Sequence, residues 1–259
     1  MKKIKIFALA VLVLLCTVLC ACERNPGEES RGLAFELNES GTGYIVTGIG
    51  KCTDKDVLIP KEYKGLPVTA IGEYAFRKTP VVKITVTENV VSIASNAFEG
   101  CGLLSYNVHE TLNYIGTEQN PYYALVSAPE NSKDSFSLHA DTKIIADYAF
   151  GDCSVKNITV PNGVTHIGAN AFYSCGAMTE VVLPETLTHI GAEAFGNCGN
   201  LKEIALPKKL AFLGDSVFLY CMKIEKITFG GTEAEWNDVS KDGWDSYFGA
   251  NYEFVCKGE

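Results

Sequence analysis

The dipeptide Ala-Phe recurs at Ala75-Phe76, Ala97-Phe98, Ala149-Phe150, Ala171-Phe172 and Ala194-Phe195, with Val217-Phe218 as a sixth instance, and the steps between the Phe residues are 22, 52, 22, 23 and 23. Self-similarity at such a period marks a stacked array and narrows the fold more than any local motif. Five residues before each Phe stands an aliphatic: Ile71, Ile93, Ile145, Ile167, Ile190 and Leu213, with Ile115 read as a seventh member that lacks its Ala-Phe. Upstream lies a short β-rich run, as in Val57-Leu58-Ile59-Pro60, Ile84-Thr85-Val86, Ile158-Thr159-Val160-Pro161, Val181-Val182-Leu183-Pro184 and Ile204-Ala205-Leu206-Pro207. Tyr106-Asn107-Val108 and Phe136-Ser137-Leu138 fall in the same phase. A unit of 22–23 residues with one or two short strands cannot bury its own apolar face, so successive units must stack. The expected fold is a β-rich solenoid of parallel short strands, seven or eight rungs about 4.8 Å apart, with a face roughly 35–40 Å long. Pro after the strand has no N–H to donate and ends the pairing there.

Gly72, Gly116, Gly168, Gly191 and Gly214 follow the aliphatic column, but Ala94 and Ala146 stand there in other units. Alanine would take a positive φ only with strain, so the column is read as needing smallness rather than left-handed backbone. The step of 52 is one regular unit plus a longer one, whose strand is expected at Tyr106 to Val108 and whose Ala-Phe turn is replaced by a loop over residues 117–135. Within that loop Asn120-Pro121-Tyr122-Tyr123 matches a motif read by cytosolic adaptors, which an exported protein does not meet, so a packed turn is expected.

The flanks differ from the interior, as solenoid caps must. Leu33 to Cys52 alternates apolar and polar residues around Gly41-Thr42-Gly43, the pattern of a hairpin, within an N-terminal cap over residues 33–56. The repeats are assigned to residues 57–230 and a C-terminal cap to 231–259. There Gly231 to Trp236 is expected to open a short helix and Glu253 to Val255 to close the fold. Residues 1–21 read as a signal peptide: Lys2, Lys3 and Lys5 precede a largely apolar run from Phe7 to Leu19. That run reaches about 20 Å, short of the roughly 30 Å hydrocarbon core. Leu19-Cys20-Ala21-Cys22 resembles a bacterial lipobox, with Cys22 as the acylated residue, because Cys16 and Cys20 each follow a bulky Leu. Residues 22–32 are polar and turn-rich and read as a flexible tether.

Charge and chemistry exclude several functions. With 22 basic against 31 acidic residues, and three of the lysines in the leader, the chain repels phosphate backbones, so nucleic acid is not an expected partner. Cys101, Cys153, Cys175, Cys198 and Cys221 stand three residues beyond the Phe column, with Thr79 in the first unit, and read as one small, reduced, buried side chain per rung. No close Cys pair suits zinc, and parallel Cβ vectors suit disulfides poorly. His109, His139, His166 and His189 show no nucleophile pairing; His109 and His139 are expected exposed at strand ends. Asp238, Asp242 and Asp245 around Gly243 match no calcium loop and read as a solvated acidic cap. No catalytic residues, metal or cofactor are expected.

The combination of strand, Leu-Pro, Leu-x-x-Ile-Gly, x-x-Ala-Phe and x-x-Cys over Val57 to Phe229 resembles the BspA-like, or treponemal-type, leucine-rich repeat family of bacterial surface proteins. Gly65 to Gly72 and the closing Gly-Thr-x-Ala-Glu-Trp segment are similar to that family's flanks. The resemblance implies a surface-exposed adhesion or recognition role, with a host matrix protein or another cell-surface protein as ligand and the membrane reached only through the lipid anchor. Glycan capture is the alternative, with Tyr122, Tyr123, Trp236 and Trp244 as its aromatics. The column just before the aliphatics holds Tyr114, Ile144, His166, His189 and Phe212. Varied identity at a fixed phase is read as an exposed, ligand-facing stripe, because large aromatics make interface anchors.

Overall fold

The computed structural model describes residues 29–129, 135–248 and 251–258. Cys22, the leader and most of the tether lie outside them.

The described residues form a β-solenoid of about nine turns, with almost no helix among them. Nine exceed the expected seven or eight because both caps add a rung: Val46 of the N-terminal hairpin pairs with Ile71, and Ser240 bridges Phe212. Each regular turn has three sides. A first short strand such as Asn157–Thr159 pairs in parallel with Glu180–Val182 of the next turn. A second, two-residue strand such as His166–Ile167 pairs with His189–Ile190. The third side is a run of tight turns carrying the Phe. The period of the sequence thus becomes a physical repeat in which Ile145, Ile167, Ile190 and Leu213 stack in register and are 0–2% exposed.

The turn side shows why Ala-Phe recurs. Phe150, Phe172, Phe195 and Phe218 are fully buried, with successive ring centroids 5.1, 5.3 and 5.9 Å apart. The chain reverses around each ring through left-handed backbone at two places. Two residues before the Phe, Tyr74, Tyr148, Asn170, Glu193 and Ser216 have φ between 51 and 57°. Two residues after it, Lys78, Asp152, Ser174, Asn197 and Tyr220 have φ between 54 and 58°. Each non-glycine residue held there costs on the order of 1–2 kcal/mol. The Phe stack supplies the compensating burial.

The thiol column has a hydrogen-bonding reason. Cys175, Cys198 and Cys221 donate from Sγ to the carbonyls of Phe150, Phe172 and Phe195 in the preceding rung, at 3.1, 3.2 and 2.9 Å. Cys101 does the same to Phe76. A thiol fits because it packs as a small apolar group while still satisfying a carbonyl. Burial pushes the Cys175 thiol up to about 12, so it stays protonated and able to donate.

The glycine column behaves as expected at Gly168, Gly191 and Gly214, none of which has positive φ. A methyl on Gly191 would sit 2.5 Å from the Ala169 amide nitrogen of the rung below. Gly116 does not belong to this column. It bridges Thr85, which places Ile115 in the phase of Ile84 rather than in the aliphatic column.

The long unit is where sequence and structure part. Asn107–His109 and Leu112–Ile115 form an antiparallel hairpin, not a rung. The segment expected as a loop carries a strand, Ala124–Ser127, antiparallel to Leu112–Ile115 and parallel to Ile144–Ile145. Leu125, opposite Ile145, fills the aliphatic position assigned to Ile115. Asn120-Pro121-Tyr122-Tyr123 is the packed turn that delivers this strand: the Asn120 Oδ1 accepts from the Tyr122 N–H at 2.9 Å, and Asn120 Nδ2 donates to the Asp141 carbonyl at 2.7 Å. The apolar core divides into two clusters at this unit.

Caps close both ends. Ala34–Leu37 and Tyr44–Gly48 form the antiparallel hairpin. At the other end the helix Glu233–Asp238 starts from a reciprocal cap: Thr232 Oγ1 accepts from the Glu235 N–H, and the Glu235 carboxylate accepts from the Thr232 N–H. Glu253–Cys256 then adds a final parallel strand to Lys226–Phe229.

Candidate functional site

The ladder Ile144, His166, His189 and Phe212 runs along the outer side of the second-strand sheet, with each residue paired to the next. The structure splits this column. His166 and His189 are half-buried and Phe212 is 39% exposed, whereas Ile144 is 1% exposed and Tyr114 is fully buried. Exposure was the wrong inference for those two residues. Ile144 clusters with Ile115, Tyr123 and Ala124 of the long unit, which covers it. Tyr114 lies on a different strand opposite Leu125, and its hydroxyl accepts from the His139 N–H at 3.2 Å.

What remains is a compact strip of three rings. His166 and His189 stack at 4.4 Å with planes 12° apart, and Phe212 continues the stack 5.9 Å from His189. Thr188 explains how the second imidazole is held. Its hydroxyl donates to the Thr165 carbonyl at 3.0 Å and lies 2.8 Å from His189 Nδ1. A hydroxyl has one proton, so Nδ1–H must be the donor to Thr188 and Nε2 keeps its lone pair. Burial first, and the neighbouring His189 second, push His166 down to about 4; burial also lowers His189. Both rings are therefore neutral at pH 7, and the strip is an uncharged aromatic surface.

His109 and His139 are half-buried rather than exposed. They meet Tyr122 in an aromatic cluster, with Tyr122 stacked on His139 at 3.9 Å and the two imidazoles 5.0 Å apart edge to face. His139 Nδ1 accepts from the Asp141 N–H at 3.2 Å. The aromatics nominated for sugar are largely committed elsewhere. Tyr123 is 6% exposed, with its hydroxyl 2.9 and 3.1 Å from the Glu88 and Val90 carbonyls, which share its one proton, and Trp236 is 8% exposed against Phe229 and Phe254. Among the described residues, no group of three or more His, Cys, Asp or Glu side chains is placed to hold a metal ion, and no helix is long and apolar enough to cross a membrane.

The turn side carries exposed aromatics that the repeat reading passed over: Tyr74, Tyr148, Tyr220 and Tyr247 are 39–75% exposed, and all four have positive φ. Their signal was present in the sequence as bulky residues in columns that hold Asn, Ser or Asp in other rungs. Nothing in the spacing alone said that those columns have left-handed backbone.

The profile of the BspA type leucine rich repeat region matches six copies over residues 57–122 and 129–239. Among solved structures, a leucine rich cell surface protein from Faecalibacterium prausnitzii A2-165 is similar with a TM-score of 0.53 at 16% identity, over 90% of this chain and 95% of that one. A leucine-rich repeat protein from Eubacterium ventriosum ATCC 27560 aligns with a TM-score of 0.49 at 21% identity, over 78% of this chain and 54% of that one. Identities this low speak to the fold alone. No curated protein matches this sequence.

Proposed function

Because this chain belongs to the BspA-type leucine-rich repeat family, we propose that it is a lipid-anchored bacterial surface protein that recognises a protein ligand and catalyses no reaction. The observation that carries the reading is the strip of His166, His189 and Phe212: three stacked, neutral, partly exposed rings on successive rungs of a rigid ladder. Rigid aromatic surface loses little conformational freedom on contact, which is why aromatic anchors dominate interface energetics. Acylation of Cys22 would hold the solenoid at the membrane, stably so with more than one chain.

The test uses the chain from residue 23 onward, offered to immobilised host extracellular-matrix proteins and bacterial surface proteins, with polysaccharide columns as a control. His166→Ala combined with Phe212→Ala should weaken capture by roughly 1–3 kcal/mol while the unfolding temperature barely changes. Unchanged affinity removes the strip, and a large stability loss returns it to the core. For the anchor, Cys22→Ala should abolish detergent partitioning of the processed protein; a shortened variant that still partitions refutes acylation there.

A further inference from the structure

The imidazoles of the strip carry atoms that the fold does not use. Each ring is tied through Nδ1 alone, His166 to Thr165 Oγ1 at 2.9 Å and His189 to Thr188 Oγ1 at 2.8 Å. Among the described residues neither Nε2 has a hydrogen-bond partner, and the buried side-chain nitrogens and oxygens that lack one there are only Thr87 Oγ1 and Asn96 Oδ1. Both Nε2 atoms therefore reach solvent.

The hydrogen bonds also decide what those atoms can do. The Thr165 hydroxyl approaches the Lys143 carbonyl at 3.4 Å, as that of Thr188 approaches the Thr165 carbonyl at 3.0 Å. Each hydroxyl spends its one proton on a carbonyl, so each Nδ1–H donates to the hydroxyl and each Nε2 keeps a lone pair. An imidazole whose other nitrogen donates to a protein oxygen is the form that ligates metal, because that bond fixes both tautomer and ring orientation. The two rings sit on paired strands of adjacent rungs, 4.4 Å apart with planes 12° from each other. His109 and His139 provide the contrast. They are also neighbours, but they meet edge to face, and His139 Nδ1 accepts from the Asp141 N–H, which puts the proton of the neutral ring on Nε2.

We propose that His166 and His189 together bind a late first-row divalent metal ion, Cu²⁺, Ni²⁺ or Zn²⁺, through their Nε2 atoms, with water completing the coordination. Bonds of about 2.0–2.1 Å to two adjacent positions of one ion place the nitrogens about 3 Å apart. Starting from rings 4.4 Å apart, each tip swings inward by less than about 1 Å, a tilt open to half-buried side chains on the outer side of the sheet. Among the described residues no third His, Cys, Asp or Glu joins the pair. Two neutral nitrogens without a carboxylate suit an exchangeable late transition ion and not Ca²⁺ or Mg²⁺, which take oxygen ligands. The net charge of −9 draws cations to the chain. The site shares its rings with the protein-recognition strip but does not rest on that reading.

Titration calorimetry of the untagged chain from residue 23 onward with NiCl₂ and ZnCl₂, and with CaCl₂ as control, tests this. One Ni²⁺ or Zn²⁺ should bind per chain in the micromolar range and raise the unfolding midpoint, while Ca²⁺ should do neither. His166→Gln and His189→Gln should each weaken binding by more than roughly tenfold, and Thr188→Val, which unties one Nδ1–H, by roughly tenfold. His109→Gln with His139→Gln should bind as the wild type does. Circular dichroism of each variant establishes that it is folded. The proposal is overturned by no micromolar binding of either ion, by wild-type affinity in both single histidine variants, or by a loss confined to the His109 and His139 variant. Wild-type affinity in Thr188→Val would overturn the claim that the threonine hydroxyl sets the ligating tautomer. No protein ligand enters these titrations, so their failure leaves the recognition reading to its own test.

Discussion

Phe172→Ala should be among the most damaging single substitutions in the molecule, and Phe98→Ala should cost about half as much despite occupying the same repeat position. The Phe172 ring is fully buried between Phe150 at 5.1 Å and Phe195 at 5.3 Å, with planes 9° and 2° from its own. Centroid distances this close to the rung spacing mean offset stacking on both faces, the favoured parallel arrangement. Deleting a buried Phe costs about 3–5 kcal/mol, and loss of two stacks puts Phe172 at the upper end. Phe98 is half-buried and stacks only on Phe76, at 5.9 Å, because the next unit lacks an Ala-Phe turn. It should cost about 2 kcal/mol. Urea unfolding followed by circular dichroism reads both through the midpoint and the m-value. Because a stacked array is held by nearest-neighbour contacts, a break at Phe172 should also lower m, as the two sides begin to unfold separately. A Phe98→Ala loss equal to or greater than that of Phe172→Ala would refute the claim that stacking continuity sets the cost.

Two further outcomes follow from titration. His166 is held at about 4 in the folded chain against an ordinary value of 6.5, so the unfolded chain takes the proton first. Stability present above about pH 6.5 is therefore lost as pH falls towards 4, and His166→Gln should remove up to about 3 kcal/mol of that decline, measured as midpoint against pH. Asp147 has the opposite sign: burial, opposed by the Ala169 N–H and reinforced by Glu73, raises its carboxyl to about 6. Its charge destabilises the fold at neutral pH, and that cost is relieved as pH falls from about 6 towards 4, so Asp147→Asn should raise stability at pH 7 by up to about 3 kcal/mol. An unchanged or lowered midpoint for Asp147→Asn at pH 7 would show that the carboxylate is better solvated than its burial implies.

The regular rungs were legible without coordinates. Spacing alone identified Ile167, Ile190 and Leu213 as core, Phe172 and Phe195 as a buried rib, and Gly191 as a place where bulk is forbidden. Each follows from one fact: identical units stacked in register give every column one environment, so a residue type that repeats reports what that environment demands. The long unit broke this logic. Without an Ala-Phe turn it carries no internal register mark, and Ile115 matched the aliphatic column as well as Leu125 did until antiparallel pairing with Leu112–Ile115 placed Leu125 opposite Ile145. That choice depends on contacts between segments distant in the chain. It also decided the fate of the variable column, since the segment that supplies Leu125 covers Ile144 and removes it from the surface, while His166, His189 and Phe212 stay open one to three rungs away.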